Sequence, residues 1–527
     1  MKKWQILGTD DKDIIALLLK NRGLKTKKEI RNFFNPPHPS RLPNPFDGQL
    51  SKALKRIRKA IKNRESIVVY ADYDADGITA GAIMWETLHG LGARVMPYIP
   101  HRVEEGYGLS VKGIDSVKKD FNPTLIITVD HGITAWEKIK YAQSLGIDVI
   151  VTDHHVKPHK LPDCLIVHTT EVSGAGVSWF VARQLLPEPD LALAAIGTIA
   201  DLMPLAGPNR SIAKYGLEAI NKTNRVGLDA LLADAGLTKG SIGTYEVSHM
   251  IAPRINAMGR IEHALDALRL LCTHRKEKAA VLAQTLGLKN RERQQLTTDT
   301  TLHALSLVPK SRKKLIFVAH ESYNQGVIGL VAGKLVEEYY VPAIVVSKGE
   351  VYSKASARSI AGFNIVSAIR SASDILVDVG GHPMAAGFTV ETKNLGELQD
   401  RLEKLAAKEL TEEKLTKVLR IDAKIPLGVV TEELWQKLRA FEPFGFGNPE
   451  PVFVTKRVKV AGSRLVGAAG KHLKLRINGL EAIAFNFGRL YGKLQPDALV
   501  DIAYTIAVDT WNGNRRLQLK IKDMKIY

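Results

Sequence analysis

From residue 66 onward, short runs of β-branched and apolar residues alternate with stretches of helical periodicity. Ile67-Val68-Val69-Tyr70 is followed by a helical pattern near 78–91, and Arg94-Val95-Met96-Pro97-Tyr98 reads as a second strand. Leu125-Ile126-Ile127-Thr128-Val129 and Asp148-Val149-Ile150-Val151-Thr152 are two more, again separated by a helical pattern. Unbroken apolar runs of this kind suit strands buried on both faces, so the alternation predicts βαβ units and a mainly parallel sheet. Residues 176–310 read as almost entirely helical, and the proline-free stretch Lys276 to His303 predicts one long helix joining two lobes. A second α/β unit begins at Lys314-Leu315-Ile316-Phe317-Val318 and runs to about 410. Beyond 419 the runs VFVTKRVKVAG, KHLKLRING, EAIAFNFG and RRLQLKIKDMKIY are separated by Gly-rich turns. Five or so strands in that length predict a small closed barrel of the OB type.

The expected architecture is therefore a multidomain α/β chain. It has an N-terminal helical segment (1–65), a parallel-sheet lobe (66–205), a helical connector (206–312), a second α/β lobe (313–412) and a β-barrel (419–527). A length of 527 residues exceeds what one hydrophobic core supports and agrees with several domains.

The ends of the first strands carry the chemistry. IVVY runs into Asp72-Tyr73-Asp74-Ala75-Asp76-Gly77, LIITV into Asp130-His131-Gly132, and DVIVT into Asp153-His154-His155. Ligands of open parallel sheets bind beyond the carboxyl ends of the strands, so three acidic or histidine clusters converge on one crevice. Asp201, closing the apolar helix IGTIA, is a fourth contributor. Any one Asp after a strand could be a simple helix or turn cap. Three together, with a His pair, demand neutralising cations. Asp with His suits Mn2+ or Mg2+, and two such ions about 3.5–4 Å apart serve in-line phosphoester hydrolysis.

Charge adds the substrate class. A formal net charge of +19 and a pI near 9.6 call for a polyanionic partner. Lys52, Lys55, Arg56, Arg58, Lys59, Lys62 and Arg64 alternate with Leu54, Ile57 and Ile61 at helical spacing, a basic face that serves equally as solvated surface or DNA contact. Two cysteines, Cys164 and Cys272, exclude a disulfide framework and fit a reducing cytoplasm. No signal peptide is recognisable, and no apolar run approaches the roughly 18 residues that would cross a bilayer.

The motifs DYDADG (72–77), VDHG (129–132), DHH (153–155) and Asp201 together resemble those of the DHH phosphoesterase superfamily. PHRVEEGYGL (100–109), APRINAMGR (252–260), GVIGLVAGKL (326–335), KASARSIAGFNI (354–365), GGHPMAAG (380–387) and FEPFGFGNPEPVF (441–453) narrow the resemblance to the RecJ family, in its order of DHH, DHHA1 and OB domains. That resemblance implies a 5′ to 3′ exonuclease on single-stranded DNA in repair and recombination, releasing 5′-mononucleotides with two Mn2+ or Mg2+ ions. It implies metal ligation by Asp74, Asp76, Asp130, His154 and Asp201, with Asp130 bridging both ions and His155 contacting the scissile phosphate or moving a proton. Tyr70 stands where pyrophosphatase-like relatives have a histidine, which leaves Asp72 to supply that ligand. Ser356, Arg358, Gly380, Gly381 and His382 correspond to a phosphate-gripping site. Arg102, Arg254, Asn256 and Arg260 are expected along the DNA channel. His131 and Tyr323-Asn324 depart from the family's usual residues. The implied partners are single-stranded DNA, a helicase and a single-strand-binding protein, with a monomer as the expected state. Two other readings are a nanoRNA or cyclic-dinucleotide phosphodiesterase, which the barrel argues against, and an inactive DNA-binding scaffold, which the complete acidic motifs argue against.

Overall fold

The computed structural model describes residues 2–9, 13–46, 48–309, 313–509 and 515–527. The chain opens with a strand, β1 (Lys3–Ile6), followed by helices α1 (Ile14–Asn21), α2 (Lys27–Phe34) and α3 (Leu50–Lys62). The first element is thus a strand within a stretch expected to be helical. The alternation that follows is β2 (Ser66–Ala71), α4 (Ala75–Gly90), β3 (Arg94–Tyr98), α5 (Val111–Phe121), β4 (Leu125–Val129), α6 (Trp136–Ser144), β5 (Asp148–Asp153) and β6 (Leu165–His168). The strands form a fully parallel sheet in the order β3-β2-β4-β5-β6. All five residues of β4 are buried, as expected for a sheet covered on both faces.

Helix α4 packs close to this sheet because Gly81 carries no side chain: a Cβ there would lie 2.9 Å from that of Ala71. Helices α7 (Gly174–Ala182) and α8 (Leu191–Ala200) are buried almost all round and pack against α4. Arg225 ties α4 to the helical connector through Glu86, at 2.7 Å, and Asp190, at 2.7 Å. The connector ends in the helix Lys276–Leu307, one unbroken rod as its proline-free sequence predicts.

The second lobe is a five-stranded sheet of β7 (Ile316–His320), β8 (Ala343–Ser347), β9 (Tyr352–Arg358), β10 (Leu376–His382) and β11 (Ala385–Glu391), in the order β10-β11-β9-β8-β7. Only β7 and β8 run parallel; the hairpin β10–β11 and strand β9 are antiparallel.

The two lobes and their connector form one compact unit. Residues 1–37, 205–207 and 416–527 form another. In that second unit β1 pairs in parallel with β12 (Val418–Ile421), and Phe33 and Phe34 meet Phe441 edge-on at 5.6 and 5.2 Å. The barrel strands are Phe453–Val466, His472–Ile477, Leu480–Ala484, Leu499–Asp509 and Arg516–Ile526, closed by pairing of the first with Leu499–Asp509. That fourth strand does not stand out in the sequence, because VDIAYTI is buried throughout and shows no alternation. Among the described residues no helix is long and apolar enough to cross a membrane.

Candidate active site

Each acidic cluster sits where the chain leaves the carboxyl end of a parallel strand. After β2, Asp74 caps α4: its Oδ1 accepts from the backbone N–H groups of Asp76 and Gly77, each at 3.0 Å. Asp76 is buried and held by the start of α7, where Gly174 N donates to Oδ2 at 2.7 Å and Ala175 N to Oδ1 at 2.9 Å. A helix N-terminus is the backbone's natural seat for a carboxylate. After β4, Asp130 adopts the left-handed conformation (φ +67°), rare for a residue with a side chain.

After β5, Asp153 is the anchor of its motif. Its Oδ2 accepts from Ile133 N at 2.9 Å, and its Oδ1 from His154 N at 2.7 Å, His155 N at 3.1 Å and His155 Nδ1 at 2.8 Å. Burial opposes the charge, yet these donors hold the carboxyl below its usual range. The same bond outweighs burial at His155 and lifts its pKa to about 9, whereas burial drives His154 down to about 4. The two histidines thus differ in charge at pH 7, His155 an imidazolium and His154 neutral.

The donor atoms converge in three overlapping groups, each within 4.8 Å: Asp72, Asp74 and Asp130; Asp76, His154 and Asp201; and Asp130, His154 and His155. His154 Nε2 lies 3.1 Å from Asp130 Oδ1, 3.8 Å from Asp201 Oδ2 and 3.9 Å from Asp76 Oδ2. Burial, reinforced by neighbouring carboxylates, pushes Asp72, Asp76, Asp130 and Asp201 above the usual carboxylate range. Among the described residues Asp72 Oδ1 and Asp130 Oδ1 are buried without a hydrogen-bond partner. Oxygen donors stacked this way fit divalent cations.

Tyr70, expected to leave a ligand position unfilled, lies in the core with Ile114 and Val117 of α5. His131 is buried beside it, neutral with its pKa lowered to about 4, and its Nε2 meets Tyr70 O at 3.0 Å. It belongs to none of the ligand groups among the described residues.

Beside the carboxylates stands a cationic cluster. Arg102 lies over the Tyr73 ring at 4.8 Å, Arg260 Nη1 donates to Gly326 O at 2.9 Å, and Arg358 Nη1 donates to Ala357 O at 2.8 Å and Ser356 Oγ at 3.3 Å. Burial lowers Arg260 to about 9, with Arg102, Arg293 and Arg358 adding repulsion. Among the described residues none of these four guanidinium groups pairs with a carboxylate. Gly329 permits the close fit, since a Cβ there would stand 2.9 Å from Ser356 Oγ and 3.1 Å from Arg358 Nη2. Gly380, Gly381 and His382 form the exposed end of β10, and the His382 ring stacks 6.4 Å from His155.

Two expected channel residues are occupied elsewhere. Arg254 pairs with Asp234 at 3.0 Å and donates to Met250 O at 2.8 Å, locked into the connector by a neighbouring helix. Asn256 Oδ1 accepts from Ala75 N at 2.8 Å and so supports the DYDADG turn. Tyr323 OH meets His303 Nδ1 at 3.0 Å, and Asn324 caps the turn before the GVIG helix through Gly326 N at 2.7 Å. Sequence reasoning assigned no role to Asp153, Arg293, Tyr107 or the α7 N-terminus, although Asp153 stands in DHH and Tyr107 in PHRVEEGYGL. Of the barrel aromatics, Phe485 and Tyr491 are exposed, Phe487 packs on the core, and Trp511 lies outside the described residues.

Three family models match the chain: the DHH family N-terminal domain over residues 66–206, the DHHA1 domain over 312–408 and the RecJ OB domain over 421–523. The single-stranded-DNA-specific exonuclease RecJ of Bacillus subtilis is 38% identical over 535 residues, covering 97% of this chain and 68% of that protein. Its namesake from Thermus thermophilus is 34% identical, covering 97% and 75%. The crystal structure of RecJ in complex with Mn2+ from Thermus thermophilus has a TM-score of 0.87 at 30% identity, over 99% of this chain and 79% of that one.

Proposed function

This chain belongs to the RecJ family of single-stranded-DNA-specific exonucleases, and on that premise we propose that it hydrolyses single-stranded DNA from the 5′ end with two divalent cations, Mn2+ or Mg2+. The observation that carries this reading is a juxtaposition of opposite charges within one unit. Buried carboxylates that need cations face arginines that need an anion.

In this reading Asp72, Asp74, Asp76, Asp130, His154 and Asp201 would hold the ions, with Asp130 and His154 each standing in two of the ligand groups. Bound there, the ions acidify water and neutralise charge on the phosphorus. His155, kept protonated by Asp153, donates Nε2–H to the scissile phosphate and supplies the proton that O3′ needs as the P–O3′ bond breaks. Ser356 and the guanidinium groups of Arg102, Arg260, Arg293 and Arg358 grip a terminal phosphate with charge-assisted bonds. Gly380, Gly381 and His382 border the same strand. The grip on one end makes release of 5′-mononucleotides directional. The barrel, with Phe485 and Tyr491 exposed, holds incoming strand by stacking and charge.

We place the enzyme in the cytoplasm as a monomer acting in repair and recombination. A helicase and a single-strand-binding protein would deliver the strand. The two free cysteines, whose thiols burial pushes up, suit a reducing compartment. The test is a time course on 5′-labelled and 3′-labelled single strands with Mn2+, an EDTA control and a matched blunt duplex. Early mononucleotide from the 5′ label alone, absent in EDTA and on duplex, is the expected result. Release from neither label, with strand binding intact, would sink the reading.

A further inference from the structure

The segment PHRVEEGYGL contributes Arg102 to the arginine cluster and also carries Tyr107, half exposed beside the site. Glu105 braces the loop, with Oε2 accepting from Tyr98 OH and Oε1 from His101 N, both at 2.8 Å. Gly106 and Gly108 flank Tyr107 in left-handed conformations (φ +83° and +67°), and a Cβ at Gly108 would stand 3.4 Å from His131 Nδ1. The loop thus presents the phenol over the ends of β4 and β5. Its hydroxyl donates to the Asp130 carbonyl oxygen at 3.2 Å and lies 3.2 Å from His155 Nε2. A phenol has one proton to give. With that proton on Asp130 O, the His155 contact is an Nε2–H donating to the phenolic oxygen. Nδ1–H is already committed to Asp153 at 2.8 Å.

We propose that Tyr107 is a positioning residue that pins the left-handed Asp130 peptide and holds the His155 Nε2–H until a phosphodiester oxygen replaces the phenol. The proposal rests on the phosphodiesterase reading above and deepens it. One hydroxyl couples the Asp130 peptide to the proton donor, although neither partner is near it in sequence. The Tyr107 ring itself packs edge-on against Tyr73 at 6.3 Å and His155 at 5.9 Å, contacts that survive loss of the hydroxyl.

Tyr107→Phe removes the oxygen alone. Support at a metal site typically contributes about 10–100-fold, so kcat on a single strand should fall by about that factor with KM nearly unchanged. The Mn2+ dissociation constant of DNA-free protein, read by titration calorimetry or by Mn2+ electron paramagnetic resonance, should weaken about tenfold, with the thermal midpoint preserved. Wild-type kcat and wild-type Mn2+ affinity in this variant would overturn the proposal, as would a raised KM with kcat intact, which would make Tyr107 a strand contact. If the wild-type protein cleaves no strand, the functional reading fails instead. The Mn2+ titration then still decides whether the hydroxyl supports Asp130.

Discussion

Gly174 offers the sharpest test of the candidate metal centre, because the nearest atoms to an added methyl group all belong to Asp130. It is the first residue of α7, it donates its N–H to Asp76, and its Cα faces the carboxylate of Asp130. A Cβ at this position would stand 2.4 Å from Asp130 Oδ1 and 2.5 Å from Cγ, where ordinary contact begins at 3.4 Å. The backbone of Gly174 is not left-handed, so alanine is conformationally acceptable and the helix itself should gain slightly, by about 0.5–1 kcal/mol. The clash is therefore relieved by Asp130, which must retreat by roughly 1 Å. Displacement of that size costs about 10²-fold in a pre-organised site. We expect Gly174→Ala to melt near wild type, to bind single strands normally, and to lose about 100-fold in kcat together with Mn2+ affinity. Gly333→Ala, in the helix Ile328–Tyr339 with open space around its Cβ, is the control and should be fully active. The assay is 5′-label release under saturating strand, paired with Mn2+ calorimetry on the DNA-free protein. Wild-type kcat and Mn2+ affinity for Gly174→Ala would refute the placement of Asp130 as a ligand.

Asp130→Ala should reduce hydrolysis by at least about 100-fold while leaving strand affinity largely intact, as measured by fluorescence anisotropy beside the cleavage assay. Arg358→Ala should raise KM for 5′-phosphorylated strands about tenfold or more and erase their advantage over 5′-hydroxyl strands, since a charged hydrogen bond contributes about 1.5–3 kcal/mol; an unchanged preference would remove the terminal-phosphate role. In EDTA-treated protein the raised carboxyls Asp76, about 7, and Asp201, about 8, favour the fold only while protonated. That stability is present at acid pH and is lost as pH rises through 7–8, a decline that saturating Mn2+ should reverse by about 2.7 kcal/mol at 100 Kd; a metal-free melting temperature flat from pH 6 to 9 would contradict it. Arg225→Met leaves Glu86 and Asp190 without their cation and should cost about 3 kcal/mol by chemical denaturation, with little change in Mn2+ affinity.

The strands and the clusters at their ends are legible in the sequence because both follow from local rules. A strand buried on both faces has to be apolar throughout, and the residues leaving its carboxyl end have to face the crevice, so Asp72, Asp74, Asp76, Asp130 and His154 can be gathered without knowing the fold. The strand Leu499–Asp509 escapes by the same rule, since a short apolar run without alternation is as easily a buried helix. The pairing of β1 with β12 is invisible for a different reason: the partners are more than four hundred residues apart, and nothing local in Lys3–Ile6 names its neighbour.

Arginines are the hard case, because a guanidinium has the same signature whether it grips a phosphate or staples two helices. Arg254 and Arg260 lie six residues apart in one motif, yet Arg254 is neutralised by Asp234 while Arg260, among the described residues, meets a carbonyl oxygen, Tyr73 and other arginines but no carboxylate. The difference lies in Asp234, twenty residues upstream on a separate helix, and in Arg293, which no motif marks. What separates a binding arginine from a structural one is the carboxylate count around it. Burying cations without one costs stability unless an anion arrives, and among the described residues Arg260, Arg293 and Arg358 leave that cost standing in the free protein. The carboxylates opposite leave the complementary cost. A site that is electrostatically unsatisfied twice over, with opposite signs, is stabilised both by cations among its carboxylates and by a phosphate chain among its arginines.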